Sequence, residues 1–264
     1  MTDHGHMAQR RLQAGFTLVE VLVVISIIAV TVSILLPSLA RSRDLAMALV
    51  CANNQKQIGM AIHEYATDAD GAMPYGPKAE PTSIADFYVV DGMVTTQISL
   101  LDGGKPVGTG LLLGSYLSHQ PEVLFCPDSD QSFDVSKELD RFGRTQALST
   151  YFYRHGSNTL ESFARPPHTW SEHIQLQDLG NNYYGQPIRA LLMDQNFVVH
   201  LAVPAFNIVT RTNHDRYRAN TLYADGHVSR LDNGDDRYTA QLGSALHMGP
   251  TKILSVLELA DTPR

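Results

Sequence analysis

The sequence predicts an α+β protein in which a long N-terminal helix packs on a small, mainly antiparallel β-sheet. Three observations predict this fold: a long apolar segment near the N-terminus, an amphipathic segment directly after it, and short β-like runs with turn signals in the rest of the chain. The chain has 264 residues, of which 44% are hydrophobic and 18% charged. This composition is typical of a folded protein with a packed core.

The apolar segment runs from Phe16 to Leu36 and contains one charged residue, Glu20. A helix of this length spans about 30 Å, which is the thickness of the hydrocarbon core of a bilayer. We therefore predict a transmembrane helix over residues 16–36. The polar segment before it, residues 1–15, carries Arg10 and Arg11.

Three interpretations of the apolar segment remain open from the residues alone. In the first, it is a secretory signal cut after Ala40, which would release a secreted enzyme, because Ser38-Leu39-Ala40 fits a small-x-small cleavage site. The apolar segment is, however, longer than the ~7–15 residues of such signals. In the second, it is a plain anchor for a binding module that does not polymerise, which leaves Glu20 unexplained.

The third interpretation starts from Glu20. A charged residue inside a membrane span costs about 2.5–3.5 kcal/mol on insertion scales, and such residues are usually paired or functional. Cleavage between Gly15 and Phe16 would place a free amine one helical turn before the carboxylate. The amine and the carboxylate would neutralise each other within one chain or between neighbouring chains, and the helix dipole also favours an anion there.

The run Gly15-Phe16-Thr17-Leu18-Val19-Glu20, after a short basic leader, resembles the class III signal of type IV prepilins and type II secretion pseudopilins. The resemblance implies that a prepilin peptidase cuts after Gly15 and methylates Phe16. It also implies that Glu20 pairs with the N-terminus of an adjacent subunit. Pro37 lies where this family often has a proline that bends the helix.

The same resemblance implies a pilin-like fold and a structural role in a pilus or pseudopilus. The implied partners are the prepilin peptidase, other pilin or pseudopilin subunits and the inner membrane. The N-terminus would be cytoplasmic, and the C-terminal domain would be periplasmic or extracellular. Secretion, a surface pilus and DNA uptake all remain open as the process served.

An amphipathic continuation of the helix is predicted over residues 37–67, with a kink at Pro37. Apolar residues recur there at helical spacings of three and four. Two groups share a face in this pattern: Leu45, Leu49 and Ala52, and then Ile58, Ile62 and Tyr65. Because such a helix cannot bury its apolar face alone, we expect it to lie on a globular domain formed by residues 68–264.

The globular domain is predicted to be mainly short strands and loops. Residues 68–148 are rich in turn-forming residues and are expected to hold short strands and one short helix, whereas residues 149–175 show no clear period. Strands are predicted over residues 188–193, 197–203, 220–223 and 227–231, and a strand or helix over residues 244–259. Asp225-Gly226 is a strong signal for a hairpin turn.

A second resemblance covers segments of the amphipathic helix and of the globular domain. The segments concerned are Cys51-Ala52-Asn53-Asn54-Gln55-Lys56-Gln57-Ile58-Gly59, Leu124-Phe125-Cys126-Pro127 and Leu191-Leu192-Met193-Asp194. They resemble large pilin-like proteins common in planctomycetes, which end in a segment of His, nine residues and Asp-Gly. Here ten residues separate His214 from Asp225-Gly226, so this chain has one residue more than the pattern.

Cys51 and Cys126 would both lie outside the cytoplasm in the predicted orientation. A disulfide between them is possible in an oxidising compartment and would stabilise the fold by roughly 2–4 kcal/mol. The alternative is two buried thiols. Sequence alone does not separate these two states.

Two further sets of side chains are candidate metal ligands. Asp232, Asp235 and Asp236 lie close together on a polar turn, which suits calcium, although a solvated turn is the simpler interpretation. His214, Asp225 and His227 are candidates for a transition metal across the hairpin, with surface or packing roles as the alternative. No other cofactor is expected.

The sequence disfavours two function classes. The formal charge is −7, from 20 Lys and Arg against 27 Asp and Glu, so no basic surplus exists for a nucleic-acid backbone. The chain lacks a nucleophile elbow, a zinc-protease motif, a phosphate-binding loop and a dinucleotide glycine fingerprint. We therefore expect a structural subunit and not an enzyme.

Overall fold

The computed structural model describes residues 16–74, 94–99, 103–118, 120–129, 134–155, 174–199, 210–242 and 249–262. The predicted leader, which includes Gly15, lies outside these residues, as does the end of the strand predicted over 197–203. The chain divides into two compact units, Met1–Leu45 and Ala46–Arg264. The second unit therefore begins inside the segment that the sequence predicts as the amphipathic helix.

Helix α1 begins at Leu18 and ends at Asp68, one residue beyond the predicted end. Its apolar side chains in the first unit are exposed to solvent, with Leu18 at 82% of its full surface, and Phe16 just before the helix is 83% exposed. By length and composition, α1 is the one helix in the described part of the chain that could cross a membrane. Pro37 lies inside α1, and the kink there stays a prediction.

The second unit contains two more helices, α2 (Val135–Arg141) and α3 (Gly249–Asp261). Its strands are β1 (Val94–Ser99), β2 (Ala147–Arg154), β3 (Ala190–Asp194), β4 (Phe197–Val199), β5 (Arg218–Tyr223), β6 (Val228–Asp232) and β7 (Ala240–Leu242). Short 3-10 helices are found at Gly108–Leu112, Pro121–Leu124 and His214–Arg216.

Five strands form an antiparallel sheet in the order β1-β2-β3-β5-β6, and β4 and β7 form a separate parallel pair. The predicted α+β class with a mainly antiparallel sheet is confirmed. The turn at Asp225-Gly226 joins β5 to β6, as predicted. Gly226 has a φ of 82°, a left-handed conformation that glycine adopts without steric cost.

The C-terminal part of α1 contributes to the core of the second unit. Ile58 and Ile62 are completely buried there, as the helical pattern predicts. The first predicted group is wrong: Leu49 is 67% exposed, and the buried positions are Ala48, Cys51 and Gln55. The side chain of Gln55 is buried because its Nε2 donates hydrogen bonds to Asp194 and to the carbonyl of Asn220, both on the sheet. This face of α1 is therefore set by polar pairing and not by apolar spacing.

Strand β2 lies at the start of residues 149–175, where the sequence shows no clear period and no strand is predicted. All eight residues of β2 are buried, and the strand lies between β1 and β3. A strand covered on both faces has no alternation of polar and apolar residues, so its sequence carries no period of two. The physical reason for the missed strand is therefore its central position.

Helix α3 covers a second apolar cluster, formed with β4, β7 and parts of the sheet. The helix ends at Asp261, whose carboxylate is completely buried beside Arg154 at the end of β2. The Nη1 atom of Arg154 donates to both oxygens of Asp261, at 3.1 and 2.9 Å. This ion pair fixes the end of α3 against the sheet.

Candidate functional site

Glu20 lies in the first turn of α1 and is paired with Thr17, just before the helix. Glu20 Oε2 accepts hydrogen bonds from the backbone N–H and the hydroxyl of Thr17, each at 2.7 Å. The N–H of Glu20 donates back to Thr17 Oγ1 at 3.3 Å. This reciprocal pattern is a capping box, and the spacing Thr-x-x-Glu in the sequence is a signal for it. The carboxylate thus lies at the positive end of the helix dipole.

Four buried side chains meet inside the second unit: Cys51, Cys126, Asp194 and His214. One potential ligand atom from each lies within 4.8 Å of all the others. The Cys51 thiol donates to Asp194 Oδ1 at 3.0 Å, and Cys126 Sγ lies 3.5 Å from His214 Nε2. The Nε2 atom is also 3.2 Å from Asp194 Oδ2. We call these four residues the Cys-His-Asp cluster.

Both cysteines of the cluster are free thiols in the structure. The fold therefore brings together the two residues for which the sequence suggests a disulfide, without joining them. The bridge itself stays a prediction.

Each member of the cluster comes from a different part of the fold. Cys51 lies on α1, and Cys126 follows the 3-10 helix at Pro121–Leu124. Asp194 is the last residue of β3, and His214 opens the short turn before β5. The cluster thus joins segments that are far apart in sequence.

Asp194 is held by neutral donors as well as by the cluster. Gln55 Nε2 donates to its Oδ1 at 2.9 Å, and the backbone N–H of Asn220 donates to its Oδ2 at 2.7 Å. The N–H of Cys126 in turn donates to Thr150 Oγ1 at 2.5 Å. These hydrogen bonds fix the positions of two cluster members through groups that belong to rigid elements.

His214 is fixed by its own backbone and by Asp128. Its Nδ1 is 2.8 Å from Asp128 Oδ2, and its N–H donates to the Asp128 carbonyl at 2.9 Å. The φ angles of His214, Asp215 and Arg216 are 55°, 49° and 64°, so three consecutive non-glycine residues are left-handed. Such strained backbone persists only where the surroundings hold it, and it concentrates at functional sites.

Burial and mutual contact shift the pKa values in the cluster. Burial, and then a hydrogen bond with Cys126, raise the pKa of the Cys51 thiol well above its usual range. Burial also raises the pKa of Cys126. For His214, burial acts to lower the pKa, but hydrogen bonds to Asp194 and Cys51 outweigh it and raise the pKa to about 11.

The hairpin candidates do not form one site. Asp225 contacts His227, both on the exposed β5–β6 turn, whereas His214 lies at the opposite end of β5 inside the Cys-His-Asp cluster. The suggested transition-metal site formed by His214, Asp225 and His227 is therefore wrong. The reason is that the ten intervening residues include the whole of β5, which separates the two ends of the segment.

The three carboxylates considered for calcium each have a local partner. Asp235 forms an ion pair with Arg237 at 2.6 Å, and Asp232 accepts a hydrogen bond from the N–H of Gly234. Asp236 Oδ1 accepts from the Thr239 hydroxyl at 3.3 Å. In the residues that the structure describes, the metal-ligating side chains that gather in one place are those of the Cys-His-Asp cluster, not these three.

Three members of the cluster, Cys51, Cys126 and His214, are candidate residues from the sequence, but as parts of separate sites. Asp194 as a site residue, and Asp128 as the partner of His214, emerge only from the structure. An acidic residue that ends an apolar strand, and the order Cys-Pro-Asp at residues 126–128, are the signals that point to them.

Two known sequences, a family model and a single protein, match short parts of the chain. A family model described as the prokaryotic N-terminal methylation motif matches residues 10–36. The chain is 36% identical over 58 residues to the competence protein ComGC of Halalkalibacterium halodurans. That match covers 22% of this chain and 57% of the length of the relative. No solved structure matches the chain.

The matched motif includes Phe16 and Glu20 and extends over the apolar part of α1. Together with the long helix and the mainly antiparallel sheet, it agrees with the resemblance found in the residues themselves. The N-terminal segment of the chain is therefore prepilin-like.

Proposed function

We propose that this chain is a structural subunit of a pilus-like filament, either a type II secretion pseudopilus or a type IV pilus. The single observation that carries the proposal is the methylation motif on an apolar helix whose side chains are exposed within the chain. Such a helix needs an apolar environment. The bilayer supplies it before assembly, and neighbouring helices supply it afterwards.

The proposed maturation starts with a cut after Gly15 by a prepilin peptidase, followed by methylation of the new amine on Phe16. The amine then lies one turn from the carboxylate of Glu20. In a filament, Glu20 would pair with the amine of an adjacent subunit and set the register between helices. The hydrogen bonds from Thr17 hold the carboxylate in place before that pairing.

The proposed location follows from the same maturation. The leader would lie in the cytoplasm, the first half of α1 in the inner membrane, and the second unit outside the cytoplasm. The partners are the prepilin peptidase and other pilin or pseudopilin subunits. The chain acts by assembly and carries out no catalysis.

The test is the N-terminus of the mature protein, determined by mass spectrometry of the chain purified from cells with a working prepilin peptidase. We expect a chain that begins at Phe16 with one added methyl group. Gly15→Val should retain the leader, whereas the neighbouring substitution Ala14→Ser should be processed normally. An uncut native chain, or one that begins at Arg41, would overturn the proposal.

A second experiment asks which process the filament serves. The gene for this chain is deleted in its native organism. Secretion of proteins, surface pili and uptake of DNA are then measured in the same strain. The proposal expects one of these to fail and to be restored by the wild-type chain but not by Gly15→Val. Normal behaviour in all three would contradict it.

A further inference from the structure

We propose that the Cys-His-Asp cluster is a zinc site, with Cys51, Cys126, His214 and Asp194 as its four ligands. Thiolate, imidazole and carboxylate are the ligands that zinc takes in proteins, and a structural site usually has four of them. All four are buried: Cys51 and Asp194 are completely inaccessible, and Cys126 and His214 are nearly so.

Two contacts between ligand atoms are close to the spacing in a tetrahedral zinc site. With Zn–S near 2.3 Å and Zn–N and Zn–O of about 2.0–2.2 Å, neighbouring ligand atoms of a tetrahedron lie roughly 3.3–3.8 Å apart. In the structure, Cys126 Sγ and His214 Nε2 are 3.5 Å apart, and His214 Nε2 and Asp194 Oδ2 are 3.2 Å apart. Cys51 Sγ lies 3.0 Å from the other carboxylate oxygen, Asp194 Oδ1, and one ligand atom from each residue lies within 4.8 Å of all the others.

The surroundings orient the histidine as a metal ligand requires. Zinc-bound histidines almost always donate their second ring N–H to a carboxylate, a carbonyl or water, which fixes the ring and raises its basicity. Asp128 occupies this position on Nδ1 of His214, and Nε2 then points toward both Asp194 and Cys126.

The left-handed backbone at residues 214–216 is a second, independent observation. Three successive non-glycine residues in this conformation cost free energy, and such strain is found mainly where it places a functional side chain. The imidazole of His214 is the side chain that this turn carries into the cluster. A bound ion accounts for the strain, because it makes the position of Nε2 essential.

Binding balances in charge and protons. Zn²⁺ replaces the thiol protons of Cys51 and Cys126, which leave to solvent, and His214 binds as the neutral imidazole through Nε2. The ion then has two thiolates, one neutral imidazole and one carboxylate as ligands. No oxidant or reductant takes part. A Cys51–Cys126 disulfide is the competing state, since it removes both thiolates.

The first experiment uses the full chain in detergent, purified under reducing conditions without chelators. We expect about one zinc ion per chain by elemental mass spectrometry, as in a four-ligand structural site. Replacement of Zn²⁺ by Co²⁺ should give the visible bands of a tetrahedral ion together with thiolate-to-cobalt charge transfer. The charge-transfer band arises only when cysteine thiolates bind the cobalt. It therefore tests the cysteine ligands in the wild-type chain, without any substitution.

The second experiment compares three variants. Cys126→Ser should lose the zinc and the charge-transfer band. Tyr151→Phe is the matched control, because the Tyr151 hydroxyl is buried 3.4 Å from Cys51 Sγ but is not a ligand, and it should keep both. Asp128→Asn keeps all four ligands and should weaken zinc affinity about 10–100-fold. Circular dichroism shows which variants are folded.

Three results would overturn the proposal. One is a wild-type chain with two titratable thiols that takes up neither Zn²⁺ nor Co²⁺. Another is a native chain whose peptide map contains a Cys51–Cys126 disulfide. The last is a Cys126→Ser variant that is folded and retains zinc at the wild-type ratio.

Discussion

Thr17 and Glu20 cap the first turn of α1 with each other: Glu20 Oε2 lies 2.7 Å from both the amide nitrogen and the hydroxyl of Thr17. A glutamate at this position therefore has a local structural role in addition to the proposed one between subunits. The two roles make different demands on the side chain. Capping requires an acceptor at the right distance, which glutamine also supplies, whereas pairing with an amine requires the negative charge.

Substitutions at these two residues separate the roles. Glu20→Gln keeps the acceptor and loses the charge, and we expect normal insertion and cleavage but a large loss of incorporation into sheared filaments, measured by immunoblot. Thr17→Ala removes the hydroxyl and keeps the carboxylate, and we expect incorporation close to wild type. Normal incorporation of Glu20→Gln would show that Glu20 acts as a cap and not as a partner between subunits.

The buried ion pair between Arg154 and Asp261 is expected to be important for stability. The Asp261 carboxylate also accepts the backbone N–H groups of Arg189 and Ala190, each at 2.8 Å. Asp261→Ala would leave Arg154 buried without its partner, and breaking such a pair costs roughly 3–5 kcal/mol. We expect this loss in the free energy of unfolding by urea, followed by near-ultraviolet circular dichroism.

The exposed pair of Asp235 and Arg237 serves as the control for that measurement. Both side chains are about half exposed, so Asp235→Ala should leave the urea midpoint nearly unchanged. Equal effects of the two substitutions would contradict the importance of burial at Asp261.

Gly110 is predicted to be intolerant of any side chain. A Cβ atom built there collides with the backbone of Ile98, including its carbonyl oxygen, and backbone atoms do not move as easily as side chains. Gly110→Ala should therefore destabilise the chain by about 1–3 kcal/mol. Gly114 in the same region has open space around its Cβ position, so Gly114→Ala should be neutral or stabilising. Thermal unfolding of both variants tests the contrast, and a tolerated Gly110→Ala would refute it.

His155 is predicted to make the chain less stable in acid. Burial lowers its pKa from 6.5 to about 3, and among the residues that the structure describes its Nε2 has no hydrogen-bond partner. Between these two values the unfolded chain binds a proton that the folded chain excludes. Stability is therefore present above about pH 6.5 and falls with decreasing pH, by on the order of 1.4 kcal/mol per pH unit from this group.

Replacing His155 with Phe removes the proton site, so the variant should lose less stability than the wild type between pH 7 and pH 5. The measurement is the urea midpoint of both proteins at each pH. Parallel curves would show that His155 does not cause the acid sensitivity.

The sequence predicted those elements whose formation depends only on neighbouring residues. The apolar run of α1, its end near residue 67 and the hairpin at Asp225-Gly226 depend on composition, length and turn chemistry, which a sequence shows directly. Strand β2 was missed because it is buried on both faces and therefore has no alternation. The prediction that Leu49 lies on the buried face of α1 was wrong, because the hydrogen bonds of Gln55 to the sheet turn a different face of the helix inward.

The same distinction applies to the candidate site. Cys51, Cys126 and His214 were identified by residue type and by resemblance, each in its own segment. Their meeting around Asp194 depends on how α1, the loop before α2 and two strands pack, which no local pattern encodes. For the acidic turn, spacing alone suggested calcium, whereas the structure shows that Arg237 takes one of the three carboxylates.

The start of the second unit at Ala46 has a practical consequence for making a water-soluble form of the protein. Removing all of α1 would take away Cys51, Ile58 and Ile62, none of which has any accessible surface, and would expose the apolar side of the sheet that they cover. Such a truncated chain should aggregate. A shortened gene for crystallisation should therefore begin near codon 46 and not after codon 68.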